Sequence, residues 1–182
     1  MKNTLKELLS TSLYLLVVVV LCFLVIKFVG QRSLVIGSSM ETTLSDNDNL
    51  ILDKISYRFH DPERFDVIVF PFRNGEKKTY IKRIIGLPGE TIQIDFDGNI
   101  FINGEILQES YGREVINNPG LAYEPITLGD DEYFVMGDNR NHSEDSRFSE
   151  VGKVSRSEIL GRAWLRVFPI HKWGLVKKIG TK

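Results

Sequence analysis

The sequence predicts a mainly β domain carried behind a single N-terminal membrane helix, and three observations predict it. Apolar residues form one long run, residues 8–29, with no charge between 13 and 26. From Ser33 onward they come instead in short β-branched runs bounded by Gly, Pro, Asn or Asp, the punctuation of strands and turns. Three of those runs are followed by polar islands: GSSMETTL (residues 37–44), YIKRIIGLPGE (80–90) and GDNRNHSEDSR (137–147).

The first element is the apolar run. A span needs about 20 apolar residues, and this run reaches that length once Ser10, Ser12 and Lys27 are admitted; Lys27 is expected to snorkel toward the interface. A cleaved secretory signal is the alternative, but no alanine precedes Ala122, so no Ala-x-Ala site follows the run. An uncleaved anchor over residues 1–32 is expected, with residues 33–182 beyond it. Lys2 and Lys6 favour a cytoplasmic N-terminus, although Lys27 and Arg32 weigh on the other flank. Cys22, the one cysteine, lies in the run, so no disulfide forms within the chain.

Strands are expected at Leu34-Val35-Ile36, at Leu50-Ile51-Leu52, at DVIVF (66–70) and across residues 80–85. Residues 91–107 read as a meander whose turns are Asp97-Gly98 and Asn103-Gly104. Residues 108–127 are polar and read as a loop projecting from that meander. Residues 133–136 lead into the third island, and 159–168 return to alternation. The organisation is thus one β domain with a smaller β insertion at about residues 90–135. Short helical turns are expected near 61–65 and 155–160.

Composition removes several functions. With 23 basic against 24 acidic residues the net charge is −1, which gives no field for nucleic acid. Asp46-Asn47-Asp48 lacks the glycine and distal glutamate of a calcium loop, and neither HExxH nor a phosphate-cradling glycine loop occurs. No metal or cofactor is expected. Trp164, Phe168 and Trp173 suit either the core or a membrane interface.

The islands carry a nucleophile and its candidate bases. A serine hydroxyl needs a base to take its proton. His60 and His171 read as surface residues, whereas His142, inside the third island, would make a triad if it faced Ser39. Lys82 is the other candidate. A free lysine is charged at neutral pH, but burial lowers its pKa by as much as about 3–5 units. In a strand Lys82 shares a face with Tyr80 and Ile84, opposite Ile81, Arg83 and Ile85. For that position taken alone, a lysine on a solvated strand face is the favoured reading, and position cannot overturn it.

In their order, the islands resemble the three boxes of the type I signal peptidases, membrane-bound Ser/Lys endopeptidases. Those boxes read approximately G-x-S-M-x-P-T-L, Y-x-K-R-x-x-G-x-P-G-[DE] and G-D-N-R-x-x-S-x-D-S-R, and DVIVFPF and the single span match too. The resemblance implies a signal-peptidase-type β fold with Ser39 as nucleophile and Lys82 as general base. It implies that Ser143 hydrogen-bonds the lysine, that Asp138 pairs with Arg83, and that Asp145 and Arg147 form a supporting ion pair. Met40 is expected under the nucleophile, and His142 becomes a bystander.

The resemblance also implies that the Ser39 backbone N–H stabilises the oxyanion. Gly37 offers no side-chain donor there, and Ser38 should face away. Thr42 stands where the family has proline. Substrate is expected as an added strand between residues 34–38 and 79–81, with Val35, Ile36 and Ile81 lining pockets for small side chains. The implied partners are signal peptides of secreted preproteins, membrane lipid and, by proximity, the export machinery. The rivals are a repressor-type Ser/Lys self-cleaving protease and an inactive tethered signal-peptide binder.

Overall fold

The computed structural model describes residues 2–28, 30–72 and 79–176, and within the N-terminal helix the side chains of 6–21 and 23. The helix, α1, runs Lys2–Phe28, and the side chains from Leu8 to Leu21 stand exposed around it. Among the described residues no helix is long and apolar enough to cross a membrane. The side chains of Lys27 and Cys22 lie outside the described ones.

Among the described residues twelve strands follow: β1 (Gly30–Leu34), β2 (Asn49–Asp53), β3 (Val67–Pro71), β4 (Thr79–Gly86), β5 (Thr91–Ile94), β6 (Ile100–Ile102), β7 (Glu105–Ile106), β8 (Ile126–Thr127), β9 (Glu132–Met136), β10 (Val154–Ser155), β11 (Gly161–Phe168) and β12 (Gly174–Leu175). The larger sheet has the order β1-β2-β11-β3-β4-β9-β10, with β12 on β11. The smaller has the order β7-β6-β5-β8 and is the expected insertion. Its Asn103-Gly104 turn has positive φ at both residues, 52° and 84°, the backbone a two-residue hairpin turn requires.

The period-2 pattern of β3 builds the core on both faces of the larger sheet. Val67 and Val69 join Met40, Leu44, Leu50, Leu52 and Ile81 on one side. Ile68 and Phe70 join Ile84, Tyr133 and Val135 on the other. A register shift between Ile84 and Gly86 where β4 meets β9 turns Ile85 into a third cluster. There it meets Ile92, Ile94, Phe134 and Met136, so the insertion shares its core with β4 and β9.

Four expectations are corrected. The strand expected at residues 34–36 lies earlier: β1 begins at Gly30 opposite Asp53 and ends at Leu34, so residues 30–32, assigned to the anchor, belong to the sheet. Val35 leaves the ladder because its N–H donates to Asp48 O and its carbonyl accepts from Asn47 N, both at 2.9 Å. The helical turn expected at 61–65 falls at Ser56–Arg58, where the Asp53 carboxylate accepts the Ile55 and Ser56 N–H groups. The 108–127 segment is packed rather than projecting, with Tyr111, Ile116 and Ala122 buried. The turn at Arg156–Glu158 forms as expected, closed by a Ser155/Glu158 capping box.

Candidate active site

Three segments converge on Ser39. The stretch after β1 carries it, β4 carries Lys82, and the loop after β9 lies against both. Residues 40–44 close a helical turn through Thr43 N–H and Leu44 N–H to Met40 O, at 2.9 and 2.8 Å. Met40, next to Ser39 in the chain, is buried in the core. Gly37, at φ 91°, takes a left-handed backbone that side chains disfavour, and Asp46 Oδ1 accepts its N–H at 2.8 Å.

Lys82 Nζ lies 2.8 Å from Ser39 Oγ. Its residue is only 2 % exposed, and its amine also stands 5.1 Å from the Tyr80 ring centroid, on the face that strand alternation assigns to both. Burial lowers its pKa from 10.5 to about 8, against the carboxylates of Asp145, Glu144 and Asp138 and with the help of Arg147. The amine is therefore largely neutral only at mildly alkaline pH, where it can serve as a general base.

The surroundings are rigid and charged. Arg83 donates through Nε and Nη2 to the two oxygens of Asp138, at 2.8 and 2.7 Å, and neither side chain has any exposure. Thr43 Oγ1 donates to Asp138 at 2.5 Å and accepts from Arg83 at 3.0 Å, which ties the turn after Ser39 to the pair. Arg83 also donates to Phe65 O at 2.8 Å and stacks 3.7 Å from the Tyr111 ring centroid. Arg147 grips Asp145 through Nε and Nη2, at 2.8 and 2.9 Å, and Asp145 Oδ2 accepts the Gly137 N–H at 3.1 Å. Both expected ion pairs are made.

Ser143 lies in the same cleft, but the expected bond to Lys82 is not made: its hydroxyl is buried without a hydrogen-bond partner. The amine instead rests on Ser39. His142 is exposed on the cleft rim, and its backbone N–H closes the turn onto Asn139 O at 3.0 Å. His60 is exposed, its Nδ1 3.2 Å from Asp61 O, and His171 is exposed as well. Ser38 is exposed and lines the same cleft.

Asn139 and Thr43 were not singled out from the sequence. Asn139 donates its backbone N–H to Ser39 O at 3.0 Å and its side-chain amide to Ser38 O at 3.1 Å. The available signal was its place in GDNR beside Asp138, but the contact spans about a hundred residues of chain (|i−j| = 101 for the amide bond).

Ser39 and Lys82 open into a cleft of about 1080 Å³ whose walls include Val35, Ile36, Thr79, Tyr80 and Ile81. Val35 and Ile81 are 3 % and 7 % exposed, whereas Ile36 is 80 % exposed; two of the expected pocket residues form a floor and the third a rim. Among the described residues no group of three or more His, Cys, Asp or Glu could hold a metal.

The family described as signal peptidase, peptidase S26, matches residues 6–168. A probable signal peptidase I-2 of Synechocystis is 41 % identical over 180 residues, covering 96 % of this chain and 78 % of its own. A signal peptidase I of Leptolyngbya laminosa is 40 % identical, over 86 % and 77 %. A signal peptidase I P of Bacillus subtilis subsp. natto is 38 % identical, over 87 % and 88 %. A solved signal peptidase I from Enterococcus faecalis is 32 % identical with a TM-score of 0.45, over 57 % of this chain and 97 % of that one.

Proposed function

This chain belongs to the type I signal peptidases, peptidase S26, serine endopeptidases that cleave signal peptides from preproteins, and we propose that it cuts with Ser39 and Lys82. The observation that carries this reading is the 2.8 Å contact between the two, made by a lysine whose burial lowers its pKa to about 8.

Ser39 Oγ attacks the scissile carbonyl as Lys82 Nζ takes its proton. The Ser39 backbone N–H meets the developing oxyanion. Lys82 then gives the proton to the leaving amine as the C–N bond breaks, freeing the mature N-terminus. Water enters, the same amine deprotonates it, and hydrolysis of the Ser39 ester releases the signal peptide's carboxylate. The preprotein lies as an added strand between residues 34–38 and 79–81, with Val35 and Ile81 beneath its small side chains. Asp138, Arg83, Asp145 and Arg147 hold the frame.

The catalytic domain rests at a membrane surface, with α1 as its single anchor and the N-terminus on the cytoplasmic side. The family is typically membrane-anchored, and exposed apolar side chains clothe α1 on all sides. Leu34, Asn49 and Phe168 share a register row across β1, β2 and β11. Leu34 and Phe168 are about half exposed there, as is Trp164, and Trp173 and Leu175 nearby are more exposed still. Such a patch beside the cleft suits an interface that presents translocated cleavage sites.

Cleavage of a preprotein by detergent-solubilised protein, beside Ser39→Ala and Lys82→Ala, tests the dyad. Wild type should cut, both variants should be silent, and the rate should rise as pH passes about 8, where the amine deprotonates. Activity that survives Lys82→Ala but dies with His142→Ala would replace the dyad by a triad.

A further inference from the structure

Tyr80 and Glu144 join two walls of the cleft beside the reacting groups. Tyr80 precedes Lys82 by two residues on β4 and so shares its face. Its hydroxyl donates to Glu144 Oε2 at 2.9 Å, and Glu144 directly follows Ser143 on the loop after β9. The Tyr80 ring is flanked by Phe70 and Phe72, with centroids 5.7 and 5.1 Å away. The Lys82 amine lies 5.1 Å from the ring centroid, within the range of a cation–π contact.

A phenol at the edge of an open cleft keeps one freedom, to swing outward about its side-chain torsions. Its bond to Glu144 opposes that motion. We propose that Glu144 is a positioning residue for the general base: by holding the Tyr80 hydroxyl it keeps the ring beside the Lys82 amine and the amine on Ser39. The inference rests on Lys82 being that base.

Electrostatics fits the same arrangement. Burial, followed by the bond to Glu144, raises the Tyr80 phenol above its ordinary value, so it stays a donor across the alkaline range in which Lys82 works. Asp145, Glu144 and Asp138 favour the ammonium form of Lys82, while burial and Arg147 oppose it. Asp145 and Asp138 are committed to Arg147 and Arg83; His142 and Glu150 are the other titratable groups on the cleft walls. Removing the Glu144 charge should therefore let Lys82 deprotonate at lower pH.

The test is kcat and KM against pH for the full chain in detergent with a preprotein substrate. The variants are Glu144→Ala, Glu144→Gln, Tyr80→Phe and the Tyr80→Phe/Glu144→Ala double. Glu144→Ala and Tyr80→Phe should each lower kcat by about tenfold with KM within about twofold, the mark of a displaced catalytic group. The double variant should lose no more than the larger single loss, because both break one contact. Glu144→Gln keeps an acceptor for the phenol and should lose less kcat than Glu144→Ala. In both Glu144 variants the rise in activity should start at a lower pH.

Losses that add in the double variant, an effect confined to KM, or an unmoved pH limb would each overturn the proposal. The KM outcome would make Glu144 a substrate contact instead. Lys82→Ala separates the two levels. If it still cuts, the dyad fails; if it is silent while the Glu144 variants follow the wild-type profile, only the positioning role fails.

Discussion

Asn139 donates its backbone N–H to the Ser39 carbonyl at 3.0 Å, and its side-chain amide reaches the carbonyl of Ser38 at 3.1 Å. The backbone of Ser38 and Ser39 is thus suspended from the loop after β9. Asn139→Ala keeps the first bond and loses the second. It should cost about 1 kcal/mol of stability and lower kcat more than it raises KM, since an oxyanion donor works only when correctly aimed. Steady-state kinetics beside a thermal melt separates the two effects.

Gly137 sits closer still. A Cβ there would lie 2.5 Å from Ser39 O and nearer again to the Ser143 hydroxyl, distances that packed atoms do not tolerate. Gly137→Ala should push the Ser39 backbone out of line and lower kcat by about a hundredfold. Its melting temperature should fall by only a few degrees, as for overpacking of about 1–3 kcal/mol.

The Arg83–Asp138 pair has no exposure on either side. Asp138→Ala would strand the guanidinium and deprive Thr43 of its acceptor, costing about 3–5 kcal/mol. Urea denaturation should show the midpoint falling with an unchanged slope. Arg147 and Asp145 are the matching case on the other side of the loop.

Lys82 should make stability depend on pH. Its pKa falls from 10.5 unfolded to about 8 folded. The folded state therefore binds fewer protons between those values, and stability rises with pH across that window. Below it, keeping the amine charged and buried costs about 3 kcal/mol, by the free-energy equivalent of the difference. Lys82→Met should therefore melt higher than wild type at neutral pH, with the gap closing by about pH 10.5. A gap that widened with rising pH would contradict a depressed pKa.

The sequence by itself determined the mainly β domain, the smaller sheet and its hairpin turns, and the face of Lys82, and it pointed to Ser39 as the proposed nucleophile. These follow from short-range rules: period-2 alternation, turn residues, and motifs contiguous in the chain. It also carried the two ion pairs, through resemblance of the boxes. Tertiary structure alone decided that residues 108–127 fold back with Tyr111 stacked on Arg83, and that Thr43 and Asn139 bind the nucleophile's turn to the loop after β9. It also decided that the Lys82 amine rests on Ser39 while the Ser143 hydroxyl goes unbonded. The reason is one of range: a hydrogen bond between residues some hundred positions apart has no local propensity to announce it. Burial of the amine likewise exists only once β4 is packed among its neighbours.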